Sequence, residues 1–233
     1  MSAMELVSLS PSTLSLYVDC PRCFWLKIVK KLDRPKGPMP TIMTGLDLVI
    51  KAYFDGYRGK DALPPLVAGK IPGRLYKEVP PWLTMGDPAT STKLVGKLDE
   101  LLEPEPGLVA PIDHKSRGKR AEDIHKAYQL QMDVYDLLLG ASGFTTPHKA
   151  WLIYYIPDVL KDERFTFAVD VKEVATDPER AKQVFQSAAK VARGPEPESN
   201  SECPFCKWFD ARTKGATSPA PTETKPVPED VPF

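Results

Sequence analysis

The chain has 233 residues, and 31 Lys and Arg balance 31 Asp and Glu, so its formal net charge is zero. Its hydrophobic content of 42% suits one sizeable folded domain, and the charge balance neither requires nor forbids nucleic acid as a partner. No apolar run approaches the length of a membrane span, and the first residues lack the features of a signal peptide. We therefore expect a cytoplasmic protein that makes no use of a membrane.

The predicted elements alternate between helices and strands. A first helix begins with Ser10 as its cap and Pro11 at its first position. A last helix, over 177–192, has Asp177 as its cap and Pro178 behind it. Between them, periodicity and turn residues predict helices over 43–57 and 121–139, and strands over 74–79, 92–102, 108–115, 148–156 and 165–171.

An acidic pair and a lysine should meet on one face of the predicted sheet. Asp113 and Lys115 lie two residues apart in the strand over 108–115, so both side chains leave the sheet on the same face. Asp99 lies in the preceding apolar run, which the Pro- and Gly-containing turn over 103–107 folds back. Two hard carboxylate ligands and a nearby cation are what metal-dependent phosphodiester cleavage requires.

Further polar residues follow this strand. Gln131 and Tyr135 are four residues apart and share one face of the helix over 121–139, where an ordinary amphipathic helix with a polar edge would look the same. Arg117, Lys119 and Arg120 come directly after the strand, where the phosphate backbone of a nucleic acid would have to run.

All four cysteines fall into two C-x-x-C pairs, Cys20 with Cys23 and Cys203 with Cys206. Four soft thiolates could hold one tetrahedral metal ion or an iron–sulfur cluster. Disulfides are less favoured, because nothing in the sequence indicates an oxidising compartment. The pairs predict a metal staple that joins the two ends of the domain.

The order of these motifs resembles the PD-(D/E)XK nucleases, and the Q-x-x-x-Y spacing of Gln131 and Tyr135 is similar to that of the RecB-like branch. The resemblance implies an α/β fold with an α-β-β-β-α-β core. It implies Mg²⁺ or Mn²⁺ at Asp99 and Asp113, with the His114 carbonyl as a further ligand. In this family the D-x-K lysine, here Lys115, would position or activate the attacking water.

The resemblance extends to the cysteines. Residues 9–26 are similar to the S-x-S-x-L-x-x-Y-x-x-C-P start of nucleases of the CRISPR-adaptation exonuclease and AddB type, whose cysteines hold a 4Fe-4S cluster. We therefore expect a 4Fe-4S cluster at the four cysteines. That family divides its cysteines one and three, whereas this chain divides them two and two, which keeps zinc as the alternative.

A second departure concerns the helix over 43–57. RecB-like exonucleases commonly carry a histidine metal ligand about one turn after its glycine, and Val49 stands at the comparable place here. Asp47 or Asp55 could substitute, although a solvent-exposed helix face explains both more simply.

The resemblance implies a metal-dependent DNA nuclease, expected to be an exonuclease that acts on single strands or ends. Its setting would be DNA repair, recombination, phage replication or CRISPR adaptation. The alternative is a catalytically silent DNA-binding or assembly subunit that keeps the fold; the missing histidine favours it and the intact acids and lysine oppose it.

The composition changes after the predicted domain at 1–210. Residues 211–233 are rich in Pro, Thr, Ser, Lys and Glu, which predicts a disordered tail. The tail ends with Glu229 and Asp230 shortly before Phe233, similar to the acidic tip of bacterial single-stranded-DNA-binding proteins. Such a tip would recruit a replication or repair protein, and a purely solubilising tail is the other interpretation.

Overall fold

A computed structural model describes residues 5–35, 37, 41–120 and 122–213. The strands are β1 (Val7–Leu9), β2 (Arg74–Leu75), β3 (Leu83–Asp87), β4 (Thr92–Gly96), β5 (Glu100–Glu103), β6 (Ala110–Ser116), β7 (Lys149–Lys161) and β8 (Arg164–Ala175). The helices are α1 (Pro11–Asp19), α2 (Pro21–Val29), α3 (Thr41–Asp55), α4 (Lys126–Ala141), α5 (Pro178–Arg193) and α6 (Pro204–Thr213). This mixed α/β architecture confirms the predicted fold class.

The strands form two sheets that meet near the predicted acidic pair. A five-stranded sheet has the order β2-β5-β6-β7-β8, and a three-stranded sheet has the order β1-β4-β3. Strands β5 and β6 form the predicted antiparallel hairpin, with Glu100 opposite Ile112. Strand β7 runs parallel to β6, so α4 is the crossover between them and lies against the sheet.

The five-stranded sheet is covered on both faces. On one face, Phe54 of α3 packs in a core with Ile112 and Ile153. On the other face, Leu138 of α4 packs in a core with Leu152 and residues of α1 and α5. Because side chains alternate along a strand, neighbouring residues of β6 face different helices. This alternation decides which β6 residues can meet α4.

Two predicted helix caps are confirmed. The Ser10 hydroxyl accepts from the Thr13 amide at 3.4 Å, and the Ser10 amide donates to the Thr13 hydroxyl at 2.7 Å. Asp177 accepts from the Arg180 amide at 3.0 Å and begins α5. Helix α4 begins later than predicted, with the His125 ring nitrogen accepting from the Ala127 amide at 3.2 Å, and residue 121 lies outside the described residues.

The prediction of one strand over 92–102 is wrong. The chain leaves the small sheet after Gly96, bends at Asp99, and enters the large sheet at Glu100. The apolar pattern continues through the bend because Leu98 is buried as fully as its strand neighbours, so periodicity alone does not reveal the break. Strands β1 and β3 were not predicted, and β7 and β8 extend well beyond the predicted 148–156 and 165–171.

Gly96 is required where β4 passes under α4. A Cβ at this position would lie 2.6 Å from Leu138 Cδ1 and 3.3 Å from Tyr135 Cε1. Gly96→Ala should therefore lower the free energy of unfolding by about 1–3 kcal/mol through overpacking, as measured by denaturant titration. Gly86→Ala in β3 is the matched control, because a Cβ there meets nothing within 4 Å. Equal effects of the two substitutions would contradict this account.

Within the described part of the chain, no helix combines the length and apolar character needed to cross a bilayer. Helix α6 ends at Thr213, so the first three residues of the tail predicted over 211–233 are helical. The rest of that tail, with its Glu229, Asp230 and Phe233 tip, lies outside the described residues.

Candidate active site

Asp113, Lys115 and Gln131 form a closed network between β6 and α4. The Lys115 ammonium forms an ion pair with Asp113 Oδ2 and donates to Gln131 Oε1 at 3.0 Å. The Gln131 amide nitrogen donates to Asp113 Oδ1 at 2.8 Å. The two-residue spacing on β6 and the crossover position of α4 bring these three side chains together, as predicted.

Tyr135 connects this network to the bend that follows β4. Its hydroxyl accepts from the Gln131 amide nitrogen at 2.9 Å and donates to the Lys97 carbonyl oxygen at 2.8 Å. Burial, together with the negative charge of Asp113, raises the pKa of Tyr135 well above its ordinary value. The phenol therefore keeps its proton and fixes the orientation of Gln131.

Asp99 lies at the edge of β6, on the bend before β5. Its Oδ2 accepts from the His114 amide at 3.2 Å, at a point where β5 no longer pairs with β6. The amide and carbonyl of one strand residue face the same sheet edge, so the His114 carbonyl faces Asp99. Asp99 and the His114 carbonyl thus lie on the side of β6 where the predicted metal would bind.

The His114 imidazole lies on the face of β6 opposite the Asp113 side chain. It packs against Phe54 with ring centroids 4.5 Å apart, and its Nδ1 is hydrogen-bonded to the Tyr155 hydroxyl at 3.1 Å. Burial lowers the pKa of His114 to about 4, so the ring is neutral near pH 7.

The environment of Asp113 suits a divalent cation. This side chain is only 2% exposed, and burial raises its pKa to about 6 against the attraction of Lys115. Lys115 is the partner of Asp113 Oδ2, and Gln131 donates to Oδ1. Carboxylate and carbonyl oxygens are the ligands that Mg²⁺ and Mn²⁺ prefer, so Asp99, Asp113 and the His114 carbonyl fit such an ion.

The sequence analysis missed Lys51, which reaches the site from α3. Its ammonium lies 3.1 Å from Asp99 Oδ1 and 2.9 Å from Asp47 Oδ2. Of the residues considered for the missing histidine, Asp47 therefore neighbours the site through Lys51, while Asp55 pairs with Arg58 at 2.7 Å. Val49, which stands at the place of the missing histidine, is 68% exposed. The sequence could not single out Lys51, because an acid and a lysine four residues apart are common on helices.

Basic residues continue beyond the network, at the end of β6. The Arg117 guanidinium lies 5.1 Å from the centroid of the Tyr154 ring, and the Lys115 ammonium lies 4.7 Å from the centroid of the Tyr128 ring. Lys119 and Arg120 are exposed in the loop that follows. The structure thus leaves the predicted cationic stretch open to solvent next to Lys115.

The four cysteines lie together and are buried, although the two C-x-x-C pairs are far apart in sequence. Sγ–Sγ distances are 3.7 Å for Cys20 and Cys206, 3.6 Å for Cys23 and Cys203, and 3.5 Å for Cys23 and Cys206. All four Sγ atoms lie within 4.8 Å of one another. Burial would raise the pKa of Cys20, but backbone hydrogen bonds from Cys23 and Asn200 lower it to about 7. The cluster could hold a metal.

The sequence pattern of the PD-(D/E)XK nuclease superfamily matches residues 57–211. The chain belongs to this superfamily. The matched part contains Asp99, the Asp113-x-Lys115 element and α4, whereas α1, α2 and α3 lie before it. No curated protein sequence matches the chain.

Solved structures also resemble this PD-(D/E)XK chain. The crystal structure of a protein named SSO0001 superposes with a TM-score of 0.51 at 16% identity, over 89% of this chain and 86% of that one. A second structure, of a Eubacterium rectale protein named a candidate exonuclease, has a TM-score of 0.46 at 13% identity, over 86% of this chain and 87% of that one. At this identity, SSO0001 shares the fold with this chain.

Proposed function

We propose that this PD-(D/E)XK protein is a metal-dependent nuclease of the RecB-like branch that hydrolyses phosphodiester bonds in DNA. The observation that carries the proposal is the closed network of Asp113, Lys115 and Gln131, in which every partner fixes the other two. An amphipathic helix with a chance polar edge would not place one glutamine amide between the acid and the lysine of a D-x-K strand.

Each side chain has a proposed role. Asp99, Asp113 and the His114 carbonyl would hold Mg²⁺ or Mn²⁺, which supplies Lewis-acid activation when bound. Lys115 would orient the attacking water and stabilise the negative charge that develops on the phosphate. Gln131 and Tyr135 are positioning residues, because they hold the acid and the lysine through hydrogen bonds.

The exposed cations beside Lys115 support a polyanionic substrate. Arg117, Lys119 and Arg120 would contact the DNA backbone without reading its sequence. We propose an exonuclease that processes single strands or ends, with repair, recombination, phage replication or CRISPR adaptation as its setting. Cleavage of end-labelled and of circular DNA with Mg²⁺ and with Mn²⁺ tests the activity and its dependence on ends.

Gln131→Leu tests the positioning role. The substitution removes both hydrogen bonds that align Lys115 and Asp113, so we expect kcat to fall about 10- to 100-fold while KM for DNA changes little. Gln183→Leu on the exposed face of α5 is the matched control and should leave kcat unchanged. A Gln131→Leu enzyme with wild-type kcat would show that Gln131 does not position the catalytic groups.

The silent-subunit alternative is favoured by one specific contact. The Lys51 ammonium lies 3.1 Å from Asp99 Oδ1, on an oxygen that a metal ion would use. If Lys51 replaces the metal permanently, the protein should bind DNA yet cleave neither single- nor double-stranded DNA with Mg²⁺ or Mn²⁺. The Lys51 side chain is 35% exposed and can move into solvent, so we favour the enzyme.

At the four cysteines we propose one tetrahedral metal ion, with zinc as the best candidate. Thiolates about 2.3 Å from a single zinc ion lie about 3.8 Å apart, and the three sulfur separations of 3.5–3.7 Å support this arrangement. The 4Fe-4S cluster expected from the resemblance places four iron atoms between the thiolates and needs wider spacing. Four thiols free of disulfides also support the proposed cytoplasmic location.

For the tail we propose that the acidic tip recruits a replication or repair protein. Glu229, Asp230 and Phe233 combine negative charge with an aromatic end. Deleting residues 231–233 should leave cleavage of naked DNA unchanged and weaken recovery of the partner in a pull-down. Deleting residues 216–218 is the control of equal length. Equal recovery with all three chains would indicate a solubilising tail.

A further inference from the structure

A cavity of about 440 Å³ adjoins the Asp113, Lys115 and Gln131 network. The roles proposed above make no use of this cavity. Its volume lies in the range of sites that take small organic groups. One wall consists of α4 residues that also contact the network, and the opposite wall consists of the strand ends of the small sheet. The lining includes Trp82, Gly96, Lys97, Tyr128, Gln131 and Tyr135.

Trp82 is the notable residue of this lining, because its side chain is 62% exposed. It directly precedes β3, and the register that pairs Leu83 with Gly96 places Trp82 opposite Lys97. Lys97 is exposed and forms no ion pair with any residue that the structure describes. An aromatic face and an unpaired cation therefore stand side by side.

The cavity is continuous with the proposed catalytic groups. The Lys97 carbonyl accepts from the Tyr135 hydroxyl at 2.8 Å, and Tyr135 in turn holds Gln131. Tyr128, on the α4 wall, lies under the Lys115 ammonium with 4.7 Å to its ring centroid. A strand of nucleic acid that occupies the cavity would therefore pass over Tyr128 to Lys115.

We propose that this cavity is a subsite for an unpaired nucleobase of the substrate strand, in which the base stacks on Trp82 and an adjacent phosphate binds Lys97. The proposal rests on the proposed nuclease function and names its substrate class as single-stranded DNA. An aromatic side chain can stack on a base only where that base has left its duplex stack. A single exposed tryptophan is ordinary on a protein surface. Trp82, however, borders a cavity next to Lys115, where its ring can stack on a base of the bound strand.

Tryptophan fluorescence tests the proposal without requiring cleavage. Trp82 and Trp208 are exposed, whereas Trp25 and Trp151 are buried. A short oligothymidylate, added to the full-length chain without added Mg²⁺ or Mn²⁺, should quench the fluorescence of the wild type. Because Trp82→Ala also lacks the fluorophore, its affinity is measured by the anisotropy of an end-labelled oligothymidylate. It should bind about 5- to 100-fold more weakly, as expected for the loss of one base–aromatic stack.

Trp208→Ala is the matched control, because Trp208 is 51% exposed on α6 and does not line this cavity. It should keep wild-type affinity for the oligothymidylate. Trp82→Phe should retain much of the affinity, since a ring remains to stack. A blunt duplex of the same length should bind wild type and Trp82→Ala equally.

Three results would overturn the subsite. They are equal single-strand affinity of Trp82→Ala and the wild type, an equal loss in Trp208→Ala, and self-association through Trp82 without any binding of oligothymidylate. The proposed function fails differently: a protein that binds single strands through Trp82 yet cleaves no DNA with either metal would keep the subsite and lose the nuclease.

Discussion

Replacing Asp113 by Asn should abolish metal-dependent DNA cleavage, with a loss of about 10³-fold or more, while the protein stays folded. The asparagine oxygen can still accept from Gln131, but a neutral amide is a far weaker ligand for Mg²⁺ or Mn²⁺. Because the substitution leaves the Lys115 ammonium without its carboxylate partner, and the asparagine amide nitrogen then faces that ammonium, it should also lower the free energy of unfolding. Single-turnover cleavage and denaturant titration measure the two effects separately.

Lys115→Met should cause a comparable loss of cleavage through the missing cation, with DNA binding reduced only modestly. Asp158→Asn and Lys190→Met are matched controls, because both residues are exposed and take part in none of the hydrogen bonds or ion pairs of the network. Their activity should equal that of the wild type. A wild-type protein that is inert with both metals would promote the silent-subunit alternative, and an active Asp113→Asn enzyme would place the chemistry elsewhere.

Cys203→Ser should lower the free energy of unfolding by more than about 3 kcal/mol, or roughly 6–12 °C in Tm for a domain of this size. The thiolates of Cys20, Cys23 and Cys206 cannot complete a tetrahedral site alone, and metal binding at such sites is coupled to folding. Thermal unfolding of the purified full chain measures the change. Ser201→Ala in the adjacent exposed turn is the control and should leave Tm unchanged.

The metal itself should be identified by elemental analysis and a visible spectrum. We expect colourless protein with one equivalent of zinc, as the sulfur separations favour. Brown protein from an anaerobic preparation, with iron and sulfide, would instead support the 4Fe-4S cluster. A Cys203→Ser protein as stable as the wild type as purified would show that the thiols hold no stabilising metal or cluster.

The parts of the fold that follow from local chemistry were predictable from the sequence. Ser10 and Asp177 cap helices through hydrogen bonds within three residues, so the signal lies inside a short window. The turn over 103–107 joins β5 to β6 for a similar reason. The shared face of Asp113 and Lys115 was also predictable from strand periodicity, whereas only the resemblance to RecB-like nucleases placed Gln131 beside them.

The parts that depend on distant partners were not predictable. The break at Asp99 exists because β4 pairs with β1 and β3 while β5 pairs with β6. No residue near the bend indicates in the sequence that the two strands belong to different sheets. The contact of Lys51 with Asp99 joins α3 to a bend on the other side of a loop. The position of Trp82 beside the α4 wall likewise depends on how the small sheet packs.

The four-thiol cluster also sets the order in which the protein can be completed during synthesis. Cys23 and Cys206 are 183 residues apart, so the first thiol pair leaves the ribosome long before the second. At about 5–20 residues per second the delay is roughly 10–40 s. During that interval α1 and α2 can pack only against the parts of the domain already made. The finished cluster therefore exists only in a chain that has been translated beyond Cys206.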